Sequence, residues 1–207
     1  MSAPAKAIPA RNRDVPGVKM RINLLGASGA GVSTLGRALA ARLSVPHWDS
    51  DDFYHAPSDP PFQVQRTPHE RCELLTQACP ANGAWVLSGG VVGWEPLPRL
   101  GVTHLVFVLT PTTIRLERLR QRERERFGER VLAGGDMFEI HQDFIAWAAR
   151  YDAGDVDGKT RARHEEYLRT QRMPVIRCNG DLPIADNVAA LLTWLGMASG
   201  VSSEGEV

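Results

Sequence analysis

Lysine is scarce in this chain. Lys6, Lys19 and Lys159 are the only three among 207 residues, so 21 of the 24 cationic side chains are arginines. No charge of one sign prevails, with 24 Lys and Arg against 24 Asp and Glu, and no overall field favours nucleic acid or a membrane surface. The three cysteines, Cys72, Cys79 and Cys178, have no metal-ligand spacing and cannot all pair. A reduced, cytoplasmic chain without a disulfide framework is expected. No apolar run approaches the roughly 20 residues that a bilayer-spanning helix needs. The N-terminus lacks the charged-then-apolar pattern of a secretory signal. What is present is a balance of 43% hydrophobic and 23% charged residues, enough for one ordinary domain with a full core.

Short apolar runs alternate with helical patterns between two non-periodic ends. Residues 1–18, rich in Ala, Pro, Arg and Asn, read as a disordered tail, as do residues 198–207. Met20, directly before the first run, offers a second candidate start. The runs are Ile22–Leu25, Val45–Trp48, Trp85–Leu87, His104–Leu109 and Val175–Cys178. Five continuous apolar strands separated by helices predict an α/β fold over residues 19–197: a three-layer, five-stranded parallel sheet with helices on both faces. Two excursions interrupt the alternation. One is the loop Ala56–Phe62 with a helix starting near Thr67-Pro68, within an arm of about residues 50–80. The other is the break Phe127–Gly135, within about residues 123–136, between an arginine-rich helix and the pattern Asp136–Tyr151. Two such excursions suit an acceptor-binding arm and a short closing lid.

The richest stretch is Gly26-Ala27-Ser28-Gly29-Ala30-Gly31-Val32-Ser33-Thr34. It joins the first apolar run to a helical pattern, and its spacing is that of the phosphate-binding loop G-x-x-x-x-G-K-[ST]. Gly26, Gly29 and Gly31 permit backbone angles that let N–H groups turn onto one anion. The following helix adds the positive end of its dipole. Ser33 offers a hydroxyl to Mg²⁺. Val32 stands where the lysine belongs, so the cradle is kept and the point charge is lost. Nucleotide binding is expected to survive better than catalysis, and any replacement cation is expected to be an arginine from elsewhere.

Further candidates lie at strand ends, where ligands sit in open α/β sheets. Asp49-Ser50-Asp51-Asp52 follows the second strand. One carboxylate could order a metal's water and another accept a hydroxyl proton; a cap on the next helix is the competing reading. Gly89-Gly90 after the third strand leave room for a ligand or another backbone. Trp48 and Trp94 are pocket or core aromatics, and His55 and His69 lie in the arm. Arg115, Arg118, Arg122 and Arg126 share one stripe of a helix, which also fits a solvated face laced with Glu117, Glu123 and Glu125.

Taken together, over roughly residues 20–196, the chain resembles the adenylate-kinase-like branch of P-loop kinases, including shikimate and gluconate kinases. The resemblance rests on the loop Gly26–Thr34 and on Asp49-x-Asp51. It also rests on Pro111 followed by Arg118 and Arg122, and on Arg150-x-Asp152 followed by Arg161-x-Arg163 and Tyr167. It implies Mg-ATP as donor, an arm for a phosphate or hydroxyl acceptor, and a mobile lid. A small-molecule or nucleotide acceptor is expected near Asp51, Asp52, Gly89 and Gly90, in a monomer or homodimer. Arg118 would stack on the base, while Arg122, Arg150, Arg161 and Arg163 would hold phosphates. Asp49 and Ser33 would attend the metal. Two departures stand out: Val32 in the loop, and an arm without the adenylate kinase pattern. A kinase is therefore expected, with a nucleotide-binding protein lacking transferase activity as the alternative.

Overall fold

The computed structural model describes residues 20–94 and 100–197. The tails expected at either end lie outside these residues. Five strands form one parallel sheet: β1 (Arg21–Gly26), β2 (His47–Asp49), β5 (Trp85–Ser88), β6 (His104–Leu109) and β7 (Val175–Asn179), in the order β2-β5-β1-β6-β7. All five expected strands are present. A small antiparallel pair, β3 (His55–Ala56) and β4 (Val64–Gln65), builds the tip of the arm. The helices are α1 (Val32–Leu43), α2 (Ser50–Tyr54), α3 (Pro68–Ala78), α4 (Thr112–Phe127), α5 (Phe138–Ala149), α6 (Arg161–Thr170) and α7 (Ile184–Trp194).

The strands are apolar throughout because both faces are covered. Side chains alternate across a strand, so Ile22, Leu24, Val106 and Val108 enter one core with Leu35 and Leu39 of α1 and Leu191 of α7. Leu25, Leu87, Leu105 and Phe107 enter the other, with Leu75 of α3 and Leu168 of α6. Each such side chain, fully buried, contributes about 1.5–3 kcal/mol of hydrophobic free energy. Local chemistry sets several helix ends. Thr67 and Glu70 form a reciprocal capping box at α3, with Pro68 at the first helical position. Asp49 caps α2 and Thr160 caps α6. Cys72, Cys79 and Cys178 are free thiols, the last two buried.

The sheet reverses at β1, with β2 and β5 on one side and β6 and β7 on the other. The loops at its carboxyl edge diverge there and leave a crevice. One buried cation braces this edge. Arg115, 1% exposed, donates to the carbonyls of Thr110, Ser28 and Ala148, to the Thr112 hydroxyl, and to Asp152 at 2.9 Å. The Tyr151 ring lies 5.2 Å from its guanidinium carbon. Partial burial pushes the Asp152 carboxyl up, but hydrogen bonds from Thr112 and Arg115 outweigh this and hold it below the usual carboxylate range.

Arg115→Met removes every one of these donors and should destabilise the protein by about 3 kcal/mol in urea unfolding. Arg118→Met, on the same stripe but half-exposed, should cost less than about 1 kcal/mol. Equal effects would mean that Arg115 is no brace.

Candidate functional site

The glycine loop leaves β1 at Gly26 and enters α1 at Val32. Gly29 and Gly31 adopt φ of 79° and 93°, which side chains other than glycine rarely adopt. Gly26 does not; it is needed instead because a Cβ there would lie 2.6 Å from the Val108 carbonyl oxygen of β6. Gly31 is the N-cap of α1 and no side chain caps the helix. The first intrahelical bond is Leu35 N–H to Gly31 O at 2.9 Å, so the first-turn N–H groups remain for a ligand. Ala30 is held from both sides: its N–H bonds Ala27 O and its carbonyl accepts from Thr110 Oγ1. Val32, 8% exposed, packs into the core. Its Cγ2 would lie 2.9 Å from a Cβ on Gly26, so the side chain turns back against β1. Beneath it, Ser88 Oγ donates to Val32 O and contacts His47 Nε2 at 2.9 Å.

The loop floors a cleft of ≈ 1630 Å³, lined by every residue from Gly26 to Thr34. Asp49, Ser50, Asp51, Tyr54, His55, Gln65, Gly89, Gly90 and Trp94 line the same cleft. The two readings of the Asp cluster coexist. Asp49 Oδ1 accepts from Asp51 N–H at 3.2 Å, capping α2, and both residues still face the cleft. Asp52 does not line it; its carbonyl accepts from Arg66. Buried Asn23 donates to the Leu87 and Gly89 carbonyls and fixes the turn after β5. Trp48 packs on Phe53 in the core, with ring centroids 6.2 Å apart. His69 lies away from the cleft beside Glu73.

The arginines divide into two groups. Arg118, Arg122, Arg126 and Arg163 line the cleft, joined by Arg37 and Arg169. Arg118 Nη1 donates to Gly180 O at 2.9 Å and would stand 3.9 Å from a Cβ on Gly31. Arg122 is steadied by two hydrogen bonds to buried Glu123, which is therefore no part of a solvated face. Arg163 donates to Gly158 O. Arg150 and Arg161 do not line the cleft: Arg150 pairs with Asp155 at 3.1 Å, and Arg161 with Asp152 at 3.6 Å. Of the presumed lid, Glu125 and Arg126 face the cleft, whereas residues 127–136 do not. The connection from α5 to α6 also lines the cleft, with Asp157, Gly158 and Lys159.

Lys159 is a residue that sequence reasoning missed. Its Cε would lie 3.7 Å from a Cβ on Gly90, and His164 Nε2 3.2 Å from the same point. Nothing in its flanking sequence signals this; the scarcity of lysine was the one available cue. Among the described residues, Lys159 included, seven cationic side chains face five carboxylates in the cleft. The excess suits a polyanionic ligand.

His164 stands behind Gly90, 2% exposed, with Nδ1 2.8 Å from the Tyr151 hydroxyl. Burial, with Lys159 adding to it, pushes the imidazole down to about 4. Burial likewise holds His55 below its ordinary value, with Arg66 and Lys159 adding to it and Asp51 opposing.

The sheet order and helical layers are those of the P-loop kinase fold. A shikimate kinase from Bacteroides thetaiotaomicron shares this fold, with a TM-score of 0.52 and 23% identity over 86% of this chain and 98% of that one. A shikimate kinase from Aquifex aeolicus aligns over 87% and 99%, with a TM-score of 0.48 and 20% identity. No protein-family model matches the chain. It is 39% identical over 178 residues to the uncharacterized protein YqaC of Bacillus subtilis (strain 168), covering 86% of this chain and 98% of that protein, and it belongs to the same family. No helix among the described residues is long and apolar enough to cross a membrane.

A histidine held neutral by the fold binds its proton more tightly once unfolded. His164 therefore withdraws stability as pH falls from 6.5 towards about 4 and withdraws none above that window. Urea midpoints should fall across it, and His164→Gln should flatten the slope; an unchanged slope would place the titration elsewhere.

Proposed function

We propose that this protein transfers the γ-phosphoryl group of Mg-ATP to a hydroxyl or phosphate oxygen of a small molecule or nucleotide. The observation that carries this reading is one convergence. The uncapped start of α1, the carboxylates Asp49 and Asp51, and the cations Arg118, Arg122 and Arg163 all face a single cleft. Fold likeness alone supports only the class of domain.

In this mechanism the N–H groups from Gly29 to Thr34 wrap the phosphate chain, and Arg118 lies against the base. Arg122 and Arg163 hold phosphate oxygens. The acceptor, bound between the arm and Gly89-Gly90, places its oxygen in line with the γ-phosphorus. Where the acceptor is a hydroxyl, Asp51 takes its proton as the new O–P bond forms; a phosphate oxygen attacks as the anion and has none to give. The bond from the γ-phosphorus to the bridging oxygen breaks, and ADP leaves with that electron pair. Catalysis of this kind is mostly positioning and charge stabilisation.

No group of three or more His, Cys, Asp or Glu among the described residues is arranged to hold a metal by itself. Ser33 and Asp49 fit a cation that arrives with the phosphates and keeps most of its waters. Mg²⁺ held there would neutralise charge on the β- and γ-phosphates.

Val32 favours a second reading, a nucleotide-binding protein without transferase activity, because its side chain is spent on the core. Two measurements separate the readings. Calorimetry with Mg-ATP should give micromolar binding, and Arg122→Ala should weaken it by about 1–3 kcal/mol. In a screen of hydroxyl and nucleoside monophosphate acceptors followed by ADP release, Asp51→Asn should abolish turnover of a hydroxyl acceptor while changing ATP affinity less than about threefold. Binding without turnover for any acceptor would favour the second reading. A full-rate Asp51→Asn would remove Asp51 from the mechanism.

A further inference from the structure

The phosphate loop lacks its lysine, and Val32, which stands in its place, packs into the core. Among the described residues the chain has one lysine, Lys159, and it faces the same cleft. The loop floors the cleft, whereas Lys159 reaches in from the α5–α6 connection towards Gly90. Gly90 lies two residues beyond Ser88, the β5 residue paired with Leu24 of β1 and bonded to the Val32 carbonyl. The lysine stem thus lies beside the turn where β5 ends, in the cleft that the phosphate loop also lines.

The connection is fastened. Trp147 Nε1 donates to the Asp157 carbonyl at 3.2 Å and Arg163 Nη1 to the Gly158 carbonyl at 2.9 Å. Buried Thr160 caps α6, and Arg161 N–H bonds Tyr151 O at 3.0 Å. Residues on both sides of Lys159 are therefore tied down while its own side chain makes no ion pair with any described residue. That differs from Arg150 and Arg161, whose charges are taken up by Asp155 and Asp152.

We propose that Lys159 contacts the γ-phosphate of bound ATP from across the cleft and supplies the positive charge that Val32 cannot. This rests on the kinase reading above. A hydroxyl acceptor's proton still goes to Asp51 and the electron pair of the broken bond still leaves with ADP, so the lysine contributes charge alone, as the loop lysine does in relatives of this fold. An ammonium has three donors on a long flexible stem, which suits reaching a phosphate at a distance.

The test is calorimetry in Mg²⁺ with ATP and ADP, on the natural protein, Lys159→Met and Lys159→Arg. Lys159 is half-buried on a connection rather than in the core, and ADP binding reports that each variant is folded. The expected result is about a tenfold loss of ATP affinity in Lys159→Met with less than about a threefold change for ADP, and recovery towards the natural ATP affinity in Lys159→Arg. Equal losses for both nucleotides, or no loss for ATP, would overturn the assignment to the γ-phosphate while leaving nucleotide binding intact. Failure of the natural protein to bind either nucleotide would remove the kinase reading and the lysine's role with it.

Discussion

The site depends on the burial of one guanidinium. Arg115 reaches the turn before Gly29, the end of β6, the last turn of α5 and the start of the α5–α6 connection. A charge so deeply buried is tolerated only because its donors are satisfied and a carboxylate stands beside it. Arginine fits because its planar fork can serve several acceptors at once. The consequence is geometric. The glycine loop and the segment carrying Lys159 and Arg163 are referenced to the same atom group, although they are distant in sequence.

That brace also explains how the arginine helix does two jobs. Residues at i, i+3 and i+7 share a stripe. The first member, Arg115, enters the core because α4 begins where β6 ends, beneath the loop. Arg118 and Arg122, one and two turns further on, emerge into the cleft. The stripe was visible in the sequence, but its periodicity gives no depth along the helix axis. Only the packing of α5 and the position of Asp152 decide which arginine is structural.

The same distinction runs through the rest of the chain. The strands, the capping box at Thr67 and the glycine loop were legible, because each is local and rests on a short-range rule. Asp49 was legible both as a cap and as a cleft residue. Arg150 and Arg161 were expected at the phosphates from the resemblance; in the fold each lies against an aspartate that spacing does not place. Lys159 was the reverse case. No pattern surrounds it, and it reaches the cleft only because the α5–α6 connection folds back over β5. The covering segment was expected at the break after Phe127, where glycines cluster, yet that turn lies outside the cleft. Glycine content marks where a chain can turn, not what it turns towards.

The turn after Phe127 has a different connection. Arg130 bridges Asp136, within its own turn, and Asp59, in the arm, the latter at 2.7 Å. These are exposed groups, and exposed ion pairs are weak and screened by salt. The arm, which carries Asp51, Tyr54 and His55 into the cleft, is therefore held at its tip by an interaction that costs little to break. At its root it is held by the Asp49 cap, the Arg66 bonds to the Asp52 and Phe53 carbonyls, and Phe53 in the core. A strong root and a weak tip divide the arm into a fixed part, which sets the carboxylates, and an adjustable part at its tip. On the other wall, the brace at Arg115 leaves the cations less freedom. Under the proposed function, the rigid, cationic wall would take a phosphate chain whose shape is constant, and the adjustable one the molecule that receives it.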